Sequence, residues 1–269
     1  MPELPEVQTV LDALETRVKD RQTVDNEVIY PPIVEDEISQ FKKRLIGQHF
    51  RSFRRRGKYL LFEMDSMTLV CHLRMEGKFF LLDETVPIGK HDHVIFYLDD
   101  GIQLRYNDVR KFGRMEIIEK KEDYSDFHGL GPEPFDRRFS VSYCRNYMKG
   151  KTAPIKQILL DQSFVAGIGN IYADEILFAI KTDPRTPACE LDEERLKQLI
   201  RHTRRILKRA IDAGGTTIRS YTSSLGVTGR FQLKLKVHAM KNCPICKGKI
   251  RKIRVGGRGT YYCETCQRP

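Results

Sequence analysis

The chain has 269 residues, 40% of them hydrophobic and 31% charged, which is the composition of a water-facing globular protein with room for two modest domains and a small appendage. No run approaches the roughly 18 apolar residues of a membrane span, and the acidic N-terminus MPELPEVQTV lacks the apolar stretch of a secretory signal, so a cytoplasmic location with reduced thiols is expected. The net charge of +11 is concentrated in the last segment, where eleven Lys and Arg from Arg230 onward face a single acid, Glu264; such a patch points to a polyanionic partner, although charge alone also fits a solvated basic tail.

In chain order, the spacing of Val7, Val10, Leu11, Leu14 and Val18 predicts an opening helix over Pro5–Lys19, with Pro5 suited to its first turn. Ile38, Phe41 and Leu45 predict a second helix near Glu35–Ile46 that stops at Gly47. Between Gln48 and Ile118 short runs rich in β-branched and aromatic residues read as strands, with Asp99-Asp100-Gly101 as a hairpin turn. A β-sandwich or barrel with helices at its edge follows. The Gly- and Pro-rich stretch Gly129–Arg138 breaks the pattern. Beyond it Ile168–Ile180 and Leu191–Ala213 read as helices, the latter with a stripe of Leu196, Leu199, Ile200, Ile206, Leu207 and Ile211. Thr216–Gly229 is a small-residue loop, long enough to be a functional element. The expected class is therefore α+β and multidomain, divided at 1–130, 131–229 and 230–269.

Two constellations carry chemistry. Cys243-Pro-Ile-Cys246 and Cys263-Glu-Thr-Cys266 are two paired thiols separated by sixteen residues. That arrangement fits one tetrahedral Zn ion over a β-hairpin, and four cysteines leave no open coordination position, so the ion is structural. Free thiols or disulfides are the alternative, disfavoured in a reducing compartment. A short segment with few large apolar residues needs the metal for stability. Cys71, Cys144 and Cys189 are scattered and read as ordinary core or surface residues. The second constellation is Met1-Pro2-Glu3-Leu4-Pro5-Glu6. Once Met1 is removed, Pro2 presents a secondary amine at the positive end of the opening helix, which disfavours the ammonium form. An α-amine already titrates at about 7.7–8.0, attack on a sugar C1′ would generate an iminium, and Glu3 and Glu6 are at hand for proton transfer. Proline and acids at a helix start are also ordinary capping features.

Seven segments in order along nearly the whole chain resemble the formamidopyrimidine-DNA glycosylase family: MPELPEV, GKYLL, HLRMEG, KHDHV, NDVRKFG, DQSFVAGIGNIYADEILF and CPIC with RGTYYCETCQ. The resemblance implies an N-terminal β-sandwich with flanking helices, a helix-two-turn-helix domain and a C-terminal zinc-finger hairpin, with DNA held in the cleft between lobes. It implies a nucleoid-associated bacterial enzyme, a monomer, acting on double-stranded DNA with oxidised purines or abasic sites. By resemblance Pro2 is the nucleophile, Glu3 the acid–base residue, Lys58 an aid to elimination and Arg258 a phosphate grip near the lesion. Without the GKYLL context Lys58 would read as one more surface lysine. Met75, Arg110 and Phe112 match the wedges that fill the hole left by an extruded base, with Arg110 able to donate to the orphaned cytosine. His91, Lys151 and Asn170 match phosphate contacts, Asn170 opening a helix after Gly167-Ile168-Gly169. His91-Asp92-His93 could be a metal pair, but lacks a third ligand in the sequence nearby. Glu76, Lys156, Thr216 and Tyr221 match positions bordering the damaged base. The rival readings are an endonuclease VIII-like enzyme for oxidised pyrimidines and a non-catalytic protein that holds damaged sites. Gln8 stands where relatives often carry Glu.

Overall fold

The computed structural model describes residues 1–216 and 230–268. They fall into two compact units, one over Met1–Tyr124 and one over Ser125–Thr216 with the chain from Arg230 on.

In the first unit, α1 spans Leu4–Val18, and all five residues of its predicted stripe are buried. β1 (Thr23–Val28) precedes a 3-10 turn at Pro31–Ile33 and α2 (Ile38–Leu45). α2 is shorter than the sequence predicts because Glu37 takes the capping position, accepting the Ser39 and Gln40 N–H groups at 3.0 Å each. Then come β2 (Ser52–Arg56), β3 (Tyr59–Glu63), β4 (Met67–His72), β5 (Lys78–Asp83), β6 (Asp92–Leu98), β7 (Ile102–Asn107) and β8 (Arg114–Glu119). They form two antiparallel four-stranded sheets, ordered β1-β6-β7-β5 and β2-β3-β4-β8. One apolar cluster joins them, with Leu60, Phe62 and Leu69 from the second sheet and Phe79, Phe96 and Leu104 from the first, under Val7, Leu11 and Leu14 of α1. β1 was not legible in the sequence: TVDNEV is mostly polar, and only Thr23 and Asn26 are buried in it.

The second unit holds α3 (Val141–Met148), α4 (Ile155–Leu160), α5 (Asn170–Ala179) and α6 (Glu193–Asp212), followed by the hairpin β9 (Arg251–Val255) and β10 (Arg258–Tyr262). Asp192 caps α6 by accepting the Arg195 N–H at 2.7 Å. The buried face of α6 is Leu196, Leu199, Ile200, Thr203, Leu207 and Ala210. Thr203 and Ala210 take positions assigned above to Ile206 and Ile211, which are only half-buried. The seam tolerates small residues because α6 packs closely on α3 and α5.

α5 is buried on nearly all sides, from Ile171 to Phe178, and yet carries Asp174 and Glu175. A helix of that kind must bring its own partners for buried charge. Glu175 accepts the Lys236, Val237 and His238 N–H groups at 2.9–3.0 Å, which seats the segment leading into the hairpin. Burial pushes its carboxyl above the usual carboxylate range, against those three donors. Replacing Glu175 by Ala leaves the three N–H groups unpaired and should lower unfolding free energy by about 3 kcal/mol, measured by urea denaturation. A loss within ~0.5 kcal/mol, the ordinary range for a surface site, would show that Glu175 does not anchor the segment.

Candidate active site and DNA-contact elements

Pro2 is buried immediately before α1, while Met1 is half exposed. Glu3 (3% exposed) is the N-cap of that helix, and its N–H donates to Glu6 Oε2 at 2.9 Å in a capping box. The cap therefore fixes two carboxylates beside the terminus. The Met1 amine lies within electrostatic reach of Glu3, Glu6, Lys58 and Glu76. Burial depresses its pKa, Glu3, Glu6 and Glu76 oppose that, and Lys58 reinforces it. Lys58 is not a surface lysine: it is 6% exposed, in the two-residue turn between β2 and β3 whose Gly57 has φ of +57°. Arg55 steadies the turn by donating to the Gly57 carbonyl at 2.8 Å and reaches Gln8 Oε1 at 3.0 Å. The amide at Gln8 thus serves as a neutral acceptor for Arg55, where a Glu would form an ion pair.

Met75 and Glu76 are half-buried in the turn between β4 and β5. Arg110 and Phe112 project from the turn between β7 and β8, the guanidinium 4.9 Å from the Phe112 ring centre and the ring 47% exposed. His91 enters β6 with its Nδ1 buried and without a hydrogen-bond partner. The His91-Asp92-His93 metal reading falls away. Asp92 accepts from Gly89, Asn107 and the buried Arg105, and His93 Nε2 donates to the Asp108 carbonyl at 2.8 Å. Arg105, fully buried, also donates to the Val86 and Pro87 carbonyls and so ties down the loop that delivers His91. Nothing in the sequence marked Arg105 apart from the other basic residues.

In the second unit, Gln162 holds the two turns between α4 and α5. Its Oε1 accepts the Gly167 N–H at 2.9 Å, and its Nε2 donates to the Leu160 and Ile168 carbonyls. This shapes the approach to Asn170, the first residue of α5, at the positive end of the helix dipole. Asn170 Nδ2 donates to the Gly259 carbonyl at 2.9 Å, beside Arg258, and its Oδ1 is buried without a partner. One turn further along α5, Asp174 Oδ2 accepts from the Tyr261 N–H at 3.2 Å and from His238 Nδ1 at 2.7 Å. Residues i and i+4 of the helix thus hold residues i and i+2 of β10, and the exposed Arg258 is oriented by α5. Lys151 lies with its ammonium 3.7 Å from the Tyr147 ring centre.

Lys156, which the resemblance put at the border of the damaged base, is fully buried and ion-paired with Asp174. An ammonium enclosed this way serves as counter-ion to the buried Asp174. Thr216 is buried, 4% exposed, at the edge of the described residues. Tyr221 and the rest of the loop to Gly229 lie outside them.

Cys243, Cys246, Cys263 and Cys266 converge, all four Sγ atoms lying within 4.8 Å of one another. The Cys243–Cys266 and Cys246–Cys263 separations are 3.7 and 3.5 Å. They are far beyond the roughly 2.05 Å of a disulfide and close to the ~3.8 Å edge of a tetrahedron built on Zn–S bonds of about 2.3 Å. The residues fit one structural zinc ion. Their apolar support is slight: Phe178, Val237 and Ile250 pack with Cys243 and Cys263. Gln267 accepts the Cys263 N–H and donates to the Thr182 carbonyl, securing the finger to the end of α5.

A sandwich that buries the second residue of its chain near acids and a lysine, in a chain that also carries two turns between helices and a four-cysteine hairpin, belongs to the class of base-excision DNA repair enzymes with a helix-two-turn-helix element. Residues 1–115 match the formamidopyrimidine-DNA glycosylase N-terminal domain, residues 130–222 its H2TH domain, and residues 241–269 the zinc finger found in FPG and IleRS. The chain is 44% identical to the formamidopyrimidine-DNA glycosylase of Streptococcus mutans, covering 100% of both chains, and 44% identical to that of Bacillus subtilis, covering 99% of both. Among solved structures, it matches a Lactococcus lactis FPG mutant in complex with Fapy-dG-containing DNA with a TM-score of 0.94 at 40% identity over 100% of both chains. The Lactococcus lactis Fpg with abasic-site DNA also matches at 0.94, over 99% of this chain. This chain belongs to the formamidopyrimidine-DNA glycosylase family.

Because the finger has so little core of its own, removing zinc with a chelator should unfold residues 241–268 while the sandwich persists. Structural zinc sites contribute an apparent ~10–16 kcal/mol. Hydrogen exchange should show loss of amide protection in β9 and β10 only; protection retained there after metal removal would overturn the assignment.

Proposed function

We propose that this chain excises oxidised purines, 8-oxoguanine and formamidopyrimidines, from duplex DNA and then cuts the strand at the resulting site. The observation that carries the reading is the buried terminus, with Pro2 enclosed beside a capping carboxylate and a buried lysine. The named relatives are formamidopyrimidine-DNA glycosylases, and the neighbouring structures hold Fapy-dG or abasic-site DNA, which supports the substrate class and a place of work on the nucleoid. The three-part division at 1–130, 131–229 and 230–269 serves as the functional one: chemistry, backbone grip, and the finger arginine.

Removal of Met1 is the first requirement. The neutral Pro2 nitrogen attacks C1′ as the bond to the damaged base breaks, and the base leaves with its bonding electrons and a proton. Loss of the ring oxygen bond, with Glu3 donating a proton to O4′, gives an open-chain iminium. The iminium acidifies C2′, a base removes that proton, and the 3′ phosphate departs. A second elimination expels the 5′ phosphate, with Lys58 able to serve as proton carrier beside the adduct. Met75 and Phe112 fill the vacated stack and Arg110 meets the widowed base. His91, Lys151, Asn170 and Arg258 bind phosphates, a term that carries most of the affinity and makes it salt-dependent. Glu76 borders the base beside the amine. The four cysteines hold zinc and take no part in bond changes.

Borohydride added during turnover should trap a covalent complex that maps to Pro2, and Glu3→Gln should slow turnover by roughly 10²–10⁴. A full yield of adduct mapped to a lysine in Pro2→Gly would reassign the nucleophile. Excision of thymine glycol in preference to 8-oxoguanine opposite cytosine would favour the pyrimidine enzyme, and binding without nicking would leave only a damage-binding protein.

The pH dependence has a determined sign. The reacting form is the free amine; in the chain with Met1 in place burial holds the Met1 amine below its ordinary value, and the Pro2 amine exposed on removal of Met1 takes the adjacent, buried position. Burial acts on it in the same direction, so the acid limb of kcat/KM should titrate below the ordinary α-amine range of about 7.7–8.0. Glu76→Gln removes a charge that favours the ammonium and moves the limb to lower pH; Lys58→Met removes one that disfavours it and moves the limb up. A limb that moves up in Glu76→Gln and down in Lys58→Met, or does not move in either, would show that some other group titrates.

A further inference from the structure

Tyr106 lies in β7 with 1% of its surface exposed, its ring edge-on to Phe79 at 5.3 Å. The position of its hydroxyl is unusual. A Cβ on Gly113 would stand 1.6 Å from Tyr106 Oη, and a Cβ on Gly77 would stand 2.2 Å from it. The hydroxyl therefore occupies the space between two glycines. Gly77 closes the turn that carries Met75, and Gly113 closes the turn that carries Arg110 and Phe112. No other residue fits at either position without displacing the tyrosine.

The same hydroxyl donates toward Asp108 Oδ2 at 3.4 Å. Asp108 is fully buried, and its carboxylate gathers the second turn. Oδ1 accepts the Arg110 N–H at 3.0 Å, and Oδ2 accepts the Phe112 and Gly113 N–H groups at 2.9 Å each. Its backbone is fixed as well: the N–H donates to the His91 carbonyl at 3.0 Å, and the carbonyl accepts from His93 Nε2 at 2.8 Å and from the Lys111 N–H at 3.2 Å. Lys111 sits at φ of +59°, a conformation a side chain adopts only when its surroundings impose it. What this scaffold presents is apolar surface in water, with Val109 57% and Phe112 47% exposed. Left free, such a turn would collapse its aromatic ring onto the sheet.

We propose that Tyr106 and Asp108 are positioning residues that lock the Met75 turn and the Arg110–Phe112 turn to one another, so that the three wedge side chains enter the base stack as a single rigid body. The inference rests on the reading of those three residues as wedges. A stack opens only if all fillers arrive in register, because a partly filled hole leaves unstacked bases uncompensated. Tyr106 and Asp108 touch no substrate; they act through the turns.

The experiment compares excision of 8-oxoguanine from a fully paired duplex with excision of the same lesion inside a short mismatched bubble, where the base is already unstacked. Asp108→Asn keeps the size but replaces one of the two accepting oxygens by an NH2 donor, so the Arg110 N–H or the Phe112 and Gly113 N–H groups lose their acceptor and the charge is gone. Its kcat/KM on the duplex should fall on the order of 30- to 100-fold, the effect of a displacement near 1 Å, while its rate on the bubble stays within about threefold of the native rate by the same argument. Tyr106→Phe removes only the hydroxyl and should give the same asymmetry at roughly three- to tenfold, so it decides the matter if the aspartate variant fails to fold. Equal losses on both substrates, or a native duplex rate in the variants, would overturn the proposal. Phe112→Ala is the control for the wedge reading itself. If it leaves the duplex rate unchanged, the wedge assignment has failed; if it slows the duplex while Asp108→Asn does not, only the clamp has failed.

Discussion

A protein can hold a side chain out from an exposed turn only if the N–H groups of that turn are answered from within. Buried carboxylates provide the answer throughout this molecule. Glu6 accepts from the cap of α1, Asp108 from the turn between β7 and β8, and Glu175 from the segment that enters the finger. Each is a charge-assisted acceptor in a site of low dielectric, where such bonds are strong and an unpaired group is costly. Each sits directly behind a residue proposed to act: Pro2, Phe112 and, through the finger, Arg258.

The two units solve the problem of precision differently. The sandwich has a large aromatic core in which Phe50, Phe53, Phe62 and Phe79 meet mostly edge to face, and loops fastened to such a core inherit its rigidity. The finger has almost no core and relies on a metal, on Gln267, and on the contact of α5 with β10. α5 thus carries Asn170, proposed above as a phosphate contact, at its start, and its buried acids orient the hairpin that carries Arg258. Lys156 belongs to this scaffold, because its charge neutralises the acid that holds Tyr261 and His238.

The start of the chain shows how a fold sets the surroundings of a proposed nucleophile. Burial lowers the pKa of the Met1 amine, while Glu3, Glu6 and Glu76 oppose that shift; the same surroundings enclose Pro2. Glu3 and Glu6 are held by the start of α1 itself. The capping role of these two residues is compatible with the proposed catalytic one, so the two interpretations of MPELPE need not be alternatives.

By itself the sequence determined the elements whose pattern is local: α1 with its full stripe, the hairpin turn at Asp99-Asp100-Gly101, the long α6, and the four-cysteine site. Periodicity, turn chemistry and ligand spacing act over a few residues and need no knowledge of the rest. The roles proposed for Pro2, Glu3, Lys58, Met75, Arg110, Phe112 and Asn170 come from motifs, because their neighbours carry the resemblance. The tertiary structure alone decided the rest. It made β1 a strand despite its polar composition, put Thr203 and Ala210 in place of Ile206 and Ile211 at the α6 seam, paired the buried Lys156 with Asp174, and placed Tyr106 between Gly77 and Gly113. The physical reason is common to all four: burial of a group, and the partner that makes burial tolerable, arise between segments distant in the chain, and no local pattern encodes which segment will supply the partner.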